Sequence, residues 1–262
     1  VSAGLPGPEF TALIRPHTGD VTGVRPTSRG NNSAVTAIVE CENGPFFVKA
    51  VPNRPGGRRD SLVREGLVNP YVRSLSPASL WKAEDQAWIA LGFEVVDGRS
   101  ADFTPGSADL PAIIDIINRI GVLDLPEIAH DWPETRWDRF ATDADRFQGR
   151  SLLYTDINPD NLLIGDGATW AVDWSWPTRG AAFIDPACLV VQLVAAGHSP
   201  QAAETWAAHC PAWTNADPQA ISAFATANRH MYRRFADRSP DAPWLAAMAT
   251  SAQQWADYRD SL

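Results

Sequence analysis

A stretch of residues 151–174, SLLYTDINPDNLLIGDGATWAVDW, constrains the fold more tightly than any other part of the chain. Asp156 is followed by Asn161 at D-x-x-x-x-N spacing. Two short apolar runs, Leu162-Leu163-Ile164 and Trp170-Ala171-Val172, flank Gly165-Asp166-Gly167. Apolar runs of strand length around such a turn read as a β-hairpin. The layout puts a carboxylate, Asp156, on a loop and a carboxamide, Asn161, at the start of one strand. A second carboxylate, Asp173, ends the partner strand, so all three can face one small volume.

Phosphoryl transfer from a nucleotide needs such a set. One carboxylate orients the attacking hydroxyl and accepts its proton, while an Asn and an Asp hold the magnesium ions that bridge the phosphate oxygens. A lone D-x-x-x-x-N is usually an exposed turn, and the hairpin with a second acid at its end is what turns the reading toward chemistry. YTDINPDN resembles the catalytic loop of the aminoglycoside phosphotransferase family, written H-x-D-x-x-x-x-N. VDW resembles that family's form of the D-F-G magnesium motif. The resemblance implies an α+β fold of the two-lobed protein kinase-like type. Residues 1–96 would form a small lobe with an antiparallel sheet and one helix, and residues 97–262 a larger helical lobe carrying the hairpin.

The order of the other segments agrees with that resemblance. A short helix with Phe10, Leu13 and Ile14 precedes a first strand near Val21. The polar turn PTSRGNNS and the strands at residues 34–40 and 46–51 follow. In kinase-like folds a strand–turn–strand of this kind covers the nucleotide phosphates, which makes Gly30, Asn32 and Ser33 the candidate phosphate contacts. Lys49, alternating with Val48 and Ala50, matches the lysine that holds the α- and β-phosphates. Glu65, on a helix expected to start at an Asp60 N-cap, matches its acidic partner. Residues 81–96 read as further strand material ending in a hinge, where the backbone near Glu94 and Val96 would meet the adenine. Asp156 is then the catalytic acid–base group, with Asn161 and Asp173 as metal ligands.

Beyond the hinge, Ile113, Ile116, Ile117 and Ile120 repeat at helical spacing behind Pro111. Trp137, Phe140, Ala144 and Phe147 suggest a second helix over residues 137–148. Asp185-Pro186 reads as an N-cap and first residue, and in the resembled family an Asp there also braces the catalytic loop. Ser199-Pro200, Asp217-Pro218 and Ser239-Pro240 each announce another helix. His198, His209 and His230 lack metal-ligand spacing.

A net charge of −9 leaves no basic surplus for nucleic acid, and no apolar run approaches a membrane span. Cys41, Cys188 and Cys210 form no disulfide or metal framework, which fits a reducing cytoplasm. The donor implied is ATP, with GTP as the alternative, used with Mg2+. The partner implied is a small hydroxyl-bearing substrate, with a cationic one suited to acids such as Asp102, Asp109, Asp143 and Asp160 and to Trp174 and Trp176. The sequence departs from the family pattern at three places: Tyr154 replaces the usual His, the phosphate loop is poor in Gly, and Asn158 stands where many relatives carry a basic residue or His. A non-catalytic nucleotide- or ligand-binding pseudokinase is the alternative these departures motivate. A protein kinase is disfavoured, because no A-P-E-like element or long activation segment follows Asp173.

Overall fold

The computed structural model describes residues 4–27 and 34–262. The chain divides into two compact units: Val1–Gly98 with Gly165–Trp176, and Arg99–Ile164 with Pro177–Leu262. The segment that ends in Asp173 therefore groups with the N-terminal residues.

In the first unit, helix α1 (Pro8–Thr18) leads into strands β1 (Val21–Pro26), β2 (Val35–Cys41) and β3 (Phe46–Pro52). Helix α2 (Gly57–Val72) and strands β4 (Ser79–Glu84) and β5 (Trp88–Phe93) follow. The strands form an antiparallel sheet in the order β1-β2-β3-β5-β4. Side chains alternate across the faces of a strand, and the two faces find different partners. Phe46, Val48 and Ala50 of β3 join Phe10 and Ile14 of α1 in one cluster. Phe47 and Val51 pack with Leu62 of α2, and with Ile89, Leu91 and Phe93 of β5, in the other. Lys49 belongs by alternation to the α2 face. Ser61, Leu62, Glu65, Val68, Asn69 and Val72 are the buried residues of α2, so Glu65 lies on the stripe that packs against the sheet.

The second unit holds the short strand β6 (Arg99–Ser100), helix α3 (Leu110–Gly121) and strands β7 (Ser151–Leu153) and β8 (Leu162–Gly165). β8 pairs with β6, and Asp166-Gly167 turns the chain toward β9 (Ala168–Ala171) in the expected hairpin. Strand β10 (Thr178–Gly180) returns to pair antiparallel with β7. Helix α4 (Ile184–Ala195) is buried almost all round, as its largely apolar sequence requires. Around it lie α5 (Pro200–Ala207), the short α6 (Pro211–Thr214), α7 (Pro218–Arg238) and α8 (Pro243–Asp260). The Ser199 hydroxyl and the Asp217 carboxylate cap α5 and α7 as expected.

Several expectations need correction. Helix α2 begins before Asp60, with Gly56 at the N-cap position and Asp60 within its first turn. Residues 137–148 hold two 3-10 turns, Asp138–Phe140 and Ala144–Phe147, separated by an extended Ala141. Their aromatic spacing serves tertiary contact instead: Trp137 and Phe147 both pack on Phe224, at ring-centroid distances of 4.6 and 5.4 Å. Phe183, not Asp185, holds the N-cap position of α4. Helix α8 starts at Pro243 and not at Ser239-Pro240. The region from Trp81 is two strands broken by a turn in which Asp85 Oδ1 accepts the N–H groups of Ala87 and Trp88. Among the described residues no helix is long and apolar enough to cross a membrane.

Candidate active site

In the first unit, Lys49, Glu65 and Asp173 form a bonded triad. The Lys49 Nζ donates to Glu65 Oε1 and Oε2 at 2.8 and 3.0 Å and to Asp173 Oδ1 at 2.7 Å. Lys49 and Glu65 are each 4% exposed. An ammonium in such a setting survives only if carboxylates surround it. Burial alone would lower the Lys49 pKa, but Glu65 and Asp173 outweigh it and hold the group charged above its ordinary value. Burial pushes the Glu65 carboxyl upward against the pull of the Lys49 ammonium, and the Trp174 backbone N–H also donates to it. Burial would raise Asp173 too. Lys49 and the Ser175 hydroxyl reverse the effect, so its pKa lies below the usual carboxylate range and the group is ionised. Phe93 stands 6.0 Å from the ammonium.

In the second unit, β7 delivers Tyr154, Thr155 and Asp156. Tyr154 and Thr155 are buried, and Asp156 is exposed. The buried Asp185 carboxylate accepts the N–H of Tyr154 at 3.0 Å and of Thr155 at 2.7 Å, which fixes the backbone just ahead of Asp156. Asn161 Nδ2 donates to the Asp156 carbonyl at 3.1 Å, so these two residues share one loop. Asn158 closes that loop. Its Oδ1 accepts the N–H groups of Asp160 and Asn161 at 3.0 and 3.1 Å, and its Nδ2 reaches both the carbonyl and the carboxylate of Asp156 at 3.2 Å. Arg136 Nη2 donates to Thr155 Oγ1 at 3.1 Å. Among the described residues, Thr155 (φ 59°) and Asp173 (φ 62°) are the non-glycine residues with positive φ. Each sits where an acid is presented, and strain of that kind persists only where the surroundings enforce it.

Glu94 and Val96 follow β5. The Glu94 N–H is bonded to the Ala78 carbonyl at 2.9 Å, and its own carbonyl has no backbone partner among the described residues. Gly30, Asn32 and Ser33 lie outside the described residues. Of the side chains considered for an acceptor pocket, Asp109 is buried and bound in bidentate fashion by Arg99, at 2.5 and 2.7 Å; that guanidinium holds its pKa down at about 2. Trp174 is core, with its Nε1 on the Ala171 carbonyl, and Trp176 takes the Arg64 guanidinium over its ring.

Asn158 and Ser175 touch the two acids, yet neither was singled out for that role from sequence. An Asn-Pro-Asp-Asn turn was the available signal for Asn158, since Asn side chains bond the backbone two and three residues on.

A metal can be tested against the donor chemistry. Among the described residues no three His, Cys, Asp or Glu side chains form a cluster suited to an ion. Asn161 Oδ1 and Asp173 Oδ2 accept no hydrogen bond from a described residue. Each, taken by itself, is an oxygen donor of the kind a hard cation such as magnesium takes.

Asp185 allows a prediction about stability. Burial raises its carboxyl pKa from 3.8 to about 6, against the two N–H bonds that lower it. Between those values the folded chain keeps a proton that the unfolded chain has released, so this contribution to stability is complete below about pH 4 and lost as pH rises through about 6. The stability difference between wild type and Asp185→Asn in urea should therefore change between about pH 4 and 6, by up to the order of 3 kcal/mol, and level off above. A difference flat across that range would contradict the assignment.

The chain has the protein kinase-like fold, with an antiparallel sheet followed by a helical C-terminal part. Solved structures of that fold include choline kinase LicA from Streptococcus pneumoniae (TM-score 0.67, 13% identity, 95% of this chain and 98% of that one). A thermostable mutant of aminoglycoside phosphotransferase APH(4)-Ia aligns with a TM-score of 0.62 at 15% identity, over 95% and 97% of the two chains. Aminoglycoside phosphotransferase APH(3'')-Id from Streptomyces rimosus, in complex with ADP and streptomycin, aligns at 0.58 and 16% identity, over 85% and 97%. At such identities the likeness is one of fold. No protein-family model and no curated protein matches the sequence.

Proposed function

We propose that the protein is an ATP-dependent kinase of a small molecule, transferring the γ-phosphoryl group to a substrate hydroxyl, with GTP as the alternative donor. The observation that carries the reading is the Lys49 ammonium bonded to Glu65 and Asp173 inside a phosphotransferase fold. A buried cation tied to two acids is expensive as a stabilising device, since well-packed apolar residues would serve as well. It is the arrangement needed to aim a lysine at the α- and β-phosphates.

In this reading Glu65 fixes the direction of Lys49, and Asp156 orients the acceptor hydroxyl. As the acceptor oxygen bonds to the γ-phosphorus and the bond to the β-bridging oxygen breaks, the hydroxyl proton passes to the Asp156 carboxylate. Asn158 holds that carboxylate from the side, and Asp185 holds its backbone from below. Asn161 and Asp173 would hold magnesium, which when bound neutralises the phosphate oxygens. The Glu94 carbonyl and the backbone of Val96 would meet the adenine, and Gly30, Asn32 and Ser33 the phosphates. The complexes of similar folds with ADP and streptomycin, and with AMP, support nucleotide use and a small acceptor.

The test is a screen of hydroxyl-bearing antibiotics, amines and sugar alcohols with ATP and GTP, read by the mass shift of phosphorylation. A product that requires nucleotide and magnesium is expected. Calorimetry that finds no binding of either nucleotide would sink the proposal.

A further inference from the structure

None of the groups above lines a recess of about 320 Å3 in the second unit, which is bounded by Leu125, His130, Arg150 and Arg179. Arg179 stands on β10, and its guanidinium is held by two backbone acceptors. Nε donates to the His130 carbonyl at 3.0 Å and Nη1 to the Gly149 carbonyl at 3.0 Å. These bonds fix the plane of the fork and leave Nη2 without an acceptor among the described residues. Arg150, next to β7, is exposed and makes no hydrogen bond or ion pair with a described residue.

Nearby acids do not neutralise the pair. Glu134 is turned onto the Thr178 hydroxyl at 2.8 Å and the Arg136 N–H at 2.7 Å, and Asp124 and Asp131 do not line the recess. Elsewhere on the surface, cations such as Arg25, Arg59, Arg146 and Arg229 are paired with carboxylates. Two guanidinium groups that share a concavity without one repel each other and favour an incoming anion.

We propose that this recess binds a tetrahedral oxyanion, the phosphate or phosphomonoester group of a small molecule. The guanidinium fork matches two oxygens of such a group, and Arg179 is already immobilised for it. Arg150 supplies the second cation, the His130 ring a further donor, and Leu125 an apolar wall for the carbon part of an ester.

Equilibrium dialysis with radiolabelled inorganic phosphate, and separately with glycerol 3-phosphate, tests this at matched ionic strength with ADP in excess. Saturable binding of one of them is expected in the wild type. Arg150→Ala should weaken it by about tenfold or more, and Arg150→Lys by less. Binding of the ester but not of free phosphate would identify a metabolite site with Leu125 engaged. Preference for free phosphate would identify an ion site. Both support the proposal. Wild-type-like binding by Arg150→Ala, no saturable binding of either probe, or binding abolished by ADP would overturn it. Arg150 is exposed and makes no hydrogen bond or ion pair with a described residue, so Arg150→Ala should keep the wild-type circular dichroism and melting curve.

Discussion

Asp156→Asn should lower kcat by about 10²–10⁴-fold, the range for a positioned acid–base group, with the nucleotide Kd nearly unchanged. The variant is a clean one. Asp156 is exposed, and the replacement keeps an oxygen that can still accept from Asn158 Nδ2. The Asp156 carbonyl, which accepts from Asn158 and Asn161, is untouched. Loop geometry should therefore survive, and what is lost is the ability to take a proton and to orient the acceptor by charge. Steady-state kinetics on an accepted substrate and calorimetry with ADP separate the two quantities. Turnover at the wild-type level would remove Asp156 from the mechanism. An equal loss in nucleotide affinity would mean instead that the loop had moved.

The segment from Ser151 to Trp174 was legible because its information is local. Strand-length apolar runs and a Gly-Asp-Gly turn set the hairpin, and spacing along the chain then sets which polar groups stand at its ends. Lys49 and Glu65 were read through the resemblance, and the structure shows why they meet: the alternation of β3 puts Lys49 on the α2 face, and the helical period puts Glu65 on the facing stripe. Groups whose partners are distant in sequence were not legible. The bracing role of Asp185 came only from the resemblance: nothing near it in the chain says that its carboxylate will bond the N–H groups of Tyr154 and Thr155 instead of capping its own helix. The aromatics at residues 137–147 have helical spacing, but Phe224 organises them, and a single side chain in α7 leaves no trace in that local pattern. Helix α2 starts without a capping side chain, so the nearest acid, Asp60, was a false signal. The acceptor pocket was not legible either. Asp109 is spent on Arg99 and Trp174 on the core, and composition cannot distinguish a spent acid from an open one.

Lys49→Ala should cost about 3–5 kcal/mol of stability, because it leaves the buried Glu65 carboxylate without its counter-charge. It should also lower kcat by about 10²–10³-fold, the usual effect of losing one donor to a developing phosphate charge. Read alone, that variant confuses an unstable protein with an inactive one. A second variant separates them. Lys49→Met with Glu65→Leu removes both members of the buried pair and fills their space with apolar atoms, a replacement that is often neutral or stabilising. Asp173 is the member that tolerates this: its side chain is 21% exposed, and Ser175 still donates to it. Urea unfolding should place the double variant near the wild type, while phosphate transfer stays as low as in Lys49→Ala. If the double variant recovered transfer along with stability, the triad would be a structural element and the phosphates would be held elsewhere. If Lys49→Ala unfolded at the wild-type urea concentration, Glu65 would not depend on the lysine at all. Stability restored with turnover still absent is the outcome that ties the cost of burying these charges to the handling of a nucleotide.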